Sequence, residues 1–166
     1  MDDDSIIKLK SSDGKIVEIS KKVASKSSLL KGIIEDFPGD DEFPINQVSG
    51  SILEKIKEYL VHYQDEQPKK IEIPLKSNDF KQCVPEWDYN YLGEDMDLIF
   101  NLVSASNYMD IKSLMELTSA KLGSKIKGIT SELVKKEFEI SESTKEEMDQ
   151  ILSLKKYLEE NHENLY

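Results

Sequence analysis

The stretch "SIIKLKSSDGKIVEI", residues 5–19, constrains the fold most, because its period of two gives way directly to a helical period. Apolar and polar side chains alternate on both sides of Asp13-Gly14. Glycine tolerates the positive φ that tight hairpin turns need, so the stretch predicts a β-hairpin. Beyond it, Val23, Leu29, Leu30, Ile33, Ile34 and Phe37 are spaced for a helix, or a short helix and a turn, stopped by Pro38-Gly39. "EFPIN" (42–46) reads as a short third strand, with Pro44 placing it near an edge. Residues 51–63 predict a helix in which Ser51 and Glu54 have capping-box spacing, and Ile52, Leu53, Ile56, Tyr59, Leu60 and Tyr63 form one stripe. Periodicity is then lost over 64–82, which reads as a surface loop. It returns over 97–109 and 111–127; Thr130 is expected to cap a short helix reaching Phe138, and Ser143 with Glu146 a last one. Strands first and helices after make an α+β pattern, a small sheet wrapped by helices. The expected division is a domain over 1–127, carrying the irregular loop 64–82, and a helical extension over 128–166.

The helix at 97–109 has two unlike faces. At about 100° per residue, Leu98, Ile99, Leu102, Val103, Ala105, Ser106 and Met109 fall on one side and form its core face. Phe100, Ser104, Asn107 and Tyr108 fall on the other. Two aromatics there leave two readings open: cover by the extension or the loop, or a partner surface, the second favoured for Tyr108 beside a polar Asn. In the next helix Ile111, Leu114, Met115, Leu122 and Ile126 line one side, with Thr118 and Ser119 as small residues between them. Val134, Phe138, Ile140, Ile151 and Leu152 continue the apolar set in the extension. Core packing and a partner helix set are both open for this stripe.

Charge and chemistry narrow the function. A formal net charge of −11 and a pI near 4.7 disfavour nucleic acid and anionic membrane surfaces as partners. No apolar run approaches the roughly 18 residues of a membrane helix. The lone Cys83 and an acidic start, "MDDDS", fit a reducing compartment, cytosolic or nuclear. His62 and His162 have no Cys or second His at ligand spacing, so no metal site or cofactor is expected. "DYNYLGEDMDLI" (88–99) puts Asp88, Asn90 and Gly93 at the first, third and sixth places of a calcium loop. Ile99 stands where the bidentate glutamate is needed, and the motif is rejected. With no nucleophile, base and oxyanion site assembled, the chain does not read as an enzyme.

Six stretches in order carry a resemblance: "IKLKSSDGKIVEI" (7–19), "SLLKGIIEDF" (28–37), "FPINQVSGSILEKIKEYLVHYQDE" (43–66), "VPEWDYNYL" (84–92), "ASNYMDIKSLMELTSAKLGSKIKGITSE" (105–132) and "KKEFEI" (135–140). Together they resemble the SCF ubiquitin-ligase adaptor family of S-phase kinase-associated protein 1, which shares the BTB/POZ fold with elongin C. The resemblance implies a non-catalytic bridge between a cullin and F-box substrate receptors, with a RING subunit and a ubiquitin-conjugating enzyme as indirect partners. It assigns Asn107 and Tyr108, with Ile33 and Ile34 near the same surface, to the cullin side. Met115, Ser119, Leu122, Ile126, Val134, Phe138 and Ile140, with Ile151 and Tyr157, are assigned to the F-box side. Two departures stand out. Ser131 occupies a place where the family commonly has proline, and "YLEENHENLY" replaces a Trp-Cys-acidic ending. An elongin-C-like adaptor for another receptor box and a BTB-type oligomerisation module are the alternatives, and homodimerisation of the free protein stays open.

Overall fold

The computed structural model describes residues 5–72, 75–77 and 79–126. The chain divides into two compact units, 1–127 and 128–166, and every described residue belongs to the first. The expected helices from Thr130 to Phe138 and after Ser143 lie outside the described residues.

The alternating stretch forms β1 (Ile6–Ser11) and β2 (Ile16–Ser20), antiparallel with Leu9 opposite Val17 and Ile7 opposite Ile19. Gly14 supplies the positive φ, 80°, that the connecting turn requires. Two short helices follow, α1 (Lys21–Ala24) and α2 (Ser28–Asp36). They form the crossover that a parallel pairing demands. β3 (Glu42–Ile45) then lies parallel to β1, giving the order β2-β1-β3 with Pro44 on an edge strand. Ile7, Leu9, Val17, Ile19, Phe43 and Ile45 turn inward and are buried, while Ile6, Lys8, Lys10, Ile16 and Glu18 face solvent. Period-two alternation thus builds one wall of the core.

The opposite wall is α3 (Gly50–His62), which buries Ile52, Leu53, Ile56, Tyr59 and Leu60. Its start differs from the sequence expectation. The N-cap is Ser49, without a side-chain capping bond, and Glu54 pairs with Lys15 at 2.8 Å instead of reaching back toward Ser51. The reason is tertiary: the Asp13 carboxylate, from the hairpin turn, accepts from the Gly50 N–H at 3.0 Å and serves as the cap. The Ser11 hydroxyl also donates to Asp13, and these bonds hold its carboxyl below the usual range. Gly50 allows this close approach, since a Cβ there would lie 2.6 Å from Lys15 side-chain atoms.

After the irregular segment come a 3-10 turn (Phe80–Gln82), then α4 (Glu86–Leu92), α5 (Met96–Tyr108) and α6 (Lys112–Ile126). α4 has no counterpart in the sequence reading. It is held by aromatic packing rather than by length: Trp87 stacks on His62 at 3.6 Å and on Tyr91 at 5.0 Å, and Tyr59 lies 5.6 Å from Tyr91. The Tyr91 hydroxyl donates to the Lys55 carbonyl at 2.8 Å, joining α4 to α3. Asp88, buried, accepts from the Tyr63 hydroxyl at 2.7 Å, so its carboxyl, pushed up by burial, still has a donor.

α5 ends within "NYMD". The Ile111 N–H reaches the Ser106 carbonyl at 2.9 Å and the Asp110 N–H the Asn107 carbonyl at 3.2 Å, the paired bonds of a Schellman cap. That cap needs a left-handed residue, and here it is Asp110 at φ 49°, the one non-glycine with positive φ among the described residues. Aspartate tolerates this region better than residues with bulkier Cβ substituents. Accordingly Asp110→Val is expected to lower stability by about 1–3 kcal/mol, and Asp110→Gly to leave it unchanged or slightly raised. Urea-unfolding midpoints of the two variants check both signs.

Candidate protein-interaction surfaces

The residues expected on the first surface come from α2 and the end of α5, and the structure ties these elements end to end. The Ser27 hydroxyl donates to the Met109 carbonyl at 2.5 Å and accepts from the Leu30 N–H at 3.2 Å. The Ser28 N–H reaches the Asp110 carbonyl at 3.3 Å and the Leu29 N–H the Met109 carbonyl at 3.4 Å. Unpaired N–H groups at the start of α2 therefore meet unpaired carbonyls at the end of α5, so each helix end satisfies the other. Ile33 and Ile34 lie further along α2, half-buried against the core. Asn107 is exposed, as expected. Tyr108 differs: it is half-buried and packs on the core cluster, so only part of its ring is open to a partner. Phe100, on the outer face of α5, is 44% exposed.

The described residues expected on the second surface lie on α6, where the single stripe expected from sequence divides in two. Ile111, Leu114, Leu117, Thr118 and Lys121 are buried, on the side that packs on α5 and the core. Met115 and Leu122, half-buried, and Ser119, exposed, recur at i, i+4 and i+7 on an adjoining face. Ile111, Leu114 and Thr118 thus belong to the core arc, and Met115, Ser119 and Leu122 form a separate strip. Ile126 is the last described residue of α6, and its side chain, like Val134, Phe138, Ile140, Ile151 and Tyr157, lies outside the described residues.

One polar cluster escaped the sequence reading. Lys121 is only 1% exposed; its ammonium donates to Glu94 at 2.7 Å and lies 4.8 Å from the Tyr89 ring centre and 5.2 Å from that of Phe80. A lysine inside an apolar arc carries no one-dimensional sign of its partner, which sits 27 residues away. The bonds from Lys121 and Lys125 depress the Glu94 carboxyl to about 2 from 4.5. Glu94 binds its proton more weakly when folded, so the stability it contributes is present above pH 4.5 and is lost as pH falls toward about 2. Half of the Glu94 side chain is exposed, and solvent screening keeps the effect modest. The stability gap between the protein and Glu94→Gln should therefore hold at neutral pH and close below pH 4.5, as read by urea unfolding across that range.

A protein named "S-phase kinase-associated protein 1 homolog" from Tetrahymena thermophila is 37% identical over 156 residues, covering 93% of this chain and 94% of the relative. The chain belongs to the Skp1 family. Residues 5–65 match the Skp1 family, tetramerisation domain, which spans the sheet, α1, α2 and α3. Among other relatives, the Arthroderma benhamiae protein named "E3 ubiquitin ligase complex SCF subunit sconC" is 34% identical over 156 residues, covering 93% of this chain and 95% of the relative. The protein of that name from Arthroderma otae is 34% identical over 147 residues, 87% of this chain and 89% of the relative. For this Skp1-family chain the three-stranded sheet with its helices confirms the α+β expectation.

Proposed function

We propose that this chain is a non-catalytic adaptor subunit of an SCF-type E3 ubiquitin ligase complex, bridging a cullin to F-box substrate receptors. The observation that carries the reading is likeness along nearly the whole length, α6 included, to the Arthroderma relatives named as SCF subunits of an E3 ubiquitin ligase complex. An adaptor needs two surfaces that can be occupied together. On this reading Asn107, Tyr108, Ile33 and Ile34 meet the cullin at the α2–α5 junction, and Met115, Ser119, Leu122 and Ile126 meet the F-box together with Val134, Phe138, Ile140, Ile151 and Tyr157. The chain contributes geometry and binding energy, and ubiquitin transfer is left to a RING subunit and a conjugating enzyme. A cytosolic and nuclear location goes with this role and is supported by the single free cysteine, Cys83.

Capture of the tagged protein from native lysate, with bound chains identified by mass spectrometry, tests the reading. A cullin and F-box proteins recovered together are expected. A folded bait that recovers neither class refutes the adaptor role.

A further inference from the structure

The last described turn of α6 is weak by sequence and held from outside. Gly123 stands inside it, where glycine costs about 1 kcal/mol relative to alanine. Among the described residues nothing asks for glycine there, since a Cβ would meet none of their atoms within 4 Å. The residues on either side are fastened to one carboxylate. Glu94, in the turn between α4 and α5, accepts from Lys121 at 2.7 Å and from Lys125 at 2.6 Å, one helical turn apart and bracketing Gly123. The Tyr89 hydroxyl donates to the same carboxylate at 3.1 Å and fixes it to α4. Lys121 is immobilised in addition by burial and by the Phe80 and Tyr89 rings. Leu122 lies within the clasped segment, one residue after Lys121.

We propose that Glu94 is a positioning residue for receptor binding: by clasping Lys121 and Lys125 across Gly123 it keeps α6 helical over residues 121–126, and so holds Leu122 in line with Met115 and Ser119. The proposal rests on the adaptor reading for its partner, whereas the clasp itself is a property of the free protein. Ordering this turn before binding spares the receptor part of the entropy cost of association. Removing the clasp therefore weakens the receptor and leaves the cullin alone, because the cullin residues lie on α2 and the end of α5.

Hydrogen exchange on the full chain, read over residues 122–126, comes first. Glu94→Gln should speed exchange there about three- to tenfold, the scale set by losing a partly screened ion pair, without changing β1 or α3. Gly123→Ala in the same background should restore slow exchange, since alanine supplies the helix propensity that the clasp otherwise replaces. Affinities of the Glu94→Gln chain for one F-box protein and one cullin complete the test. The receptor affinity should fall by about three- to tenfold in step with the lost order, and the cullin affinity should hold. Unchanged exchange, or faster exchange with unchanged receptor affinity, overturns the proposal. An equal fall in both affinities reduces Glu94 to a general stabiliser and overturns it too. If the unsubstituted chain fails to bind any F-box protein, the adaptor reading has failed first, and the proposed role falls with it even where exchange responds.

Discussion

Asn107→Lys combined with Tyr108→Lys is expected to weaken cullin binding by about thirtyfold or more, the loss of at least one interface anchor worth about 2 kcal/mol, while F-box binding stays within about twofold. Tyr108 offers a rigid ring with a polar tip, and its half-buried setting means that it reaches a partner already ordered by the core. Two lysines replace that ring and the neighbouring amide with long, strongly hydrated side chains that must be dehydrated on docking. The same lysines sit at the C-terminal end of α5, where positive charge suits the helix dipole, so the helix itself is not the target. Because Tyr108 packs on the core, the double variant also loses some stability. Asn107→Lys alone is the clean control: the residue is exposed, and its substitution should leave stability within about 0.5 kcal/mol. Titration calorimetry against each partner separates the outcomes. Retained cullin affinity in the double variant would move the cullin surface elsewhere; loss of both partners would report unfolding.

Tyr59→Ala is the substitution expected to harm the fold most, by about 3–5 kcal/mol, the usual range for truncating a buried aromatic. Tyr59 is 1% exposed and joins α3 to α4 through ring contacts with Tyr63 at 5.0 Å, Tyr91 at 5.6 Å and Trp87 at 6.3 Å. Truncation opens a cavity in the aromatic cluster that packs α4 on α3, and such a loss is a large part of the 5–15 kcal/mol that stabilises an ordinary domain. Tyr59→Phe keeps the ring and loses only the hydroxyl, which bonds Ser113 and is pushed up to about 12 by burial. It should cost about 1 kcal/mol. Urea unfolding followed by tryptophan fluorescence measures both, since Trp87 reports on the same cluster. Equal costs for the two variants would show that the hydroxyl, not the ring, holds α4.

The hairpin, the edge strand at Pro44, the core stripe of α3 and the core face of α5 were all legible in sequence, because one buried face imposes period two on strands and about 3.6 residues on helices. α4 was not legible, for the same physical reason inverted. Over "EWDYNYL" the residues that hold the helix are aromatic rings that find their partners on α3, and its seven residues are too few to show a stripe. The start of α3 misled because local spacing suggested Ser51 and Glu54, whereas the cap is Asp13, brought in by the hairpin 37 residues earlier. On the outer face of α5 the exposure of Asn107 was legible, but the inward packing of Tyr108 was not. The division of α6 also needed the structure. Leu114 and Met115 are neighbours in one apolar stripe by sequence, and only the position of α5 determines which of them enters the core.

Bridging is the central claim, and it can be measured without any variant. A purified cullin and a purified F-box protein are run on gel filtration with and without this chain. The account predicts that the cullin and the F-box protein elute apart when mixed alone, and together in one complex when the chain is added. No shared complex in the presence of the folded chain, or one that forms equally well without it, would contradict the account.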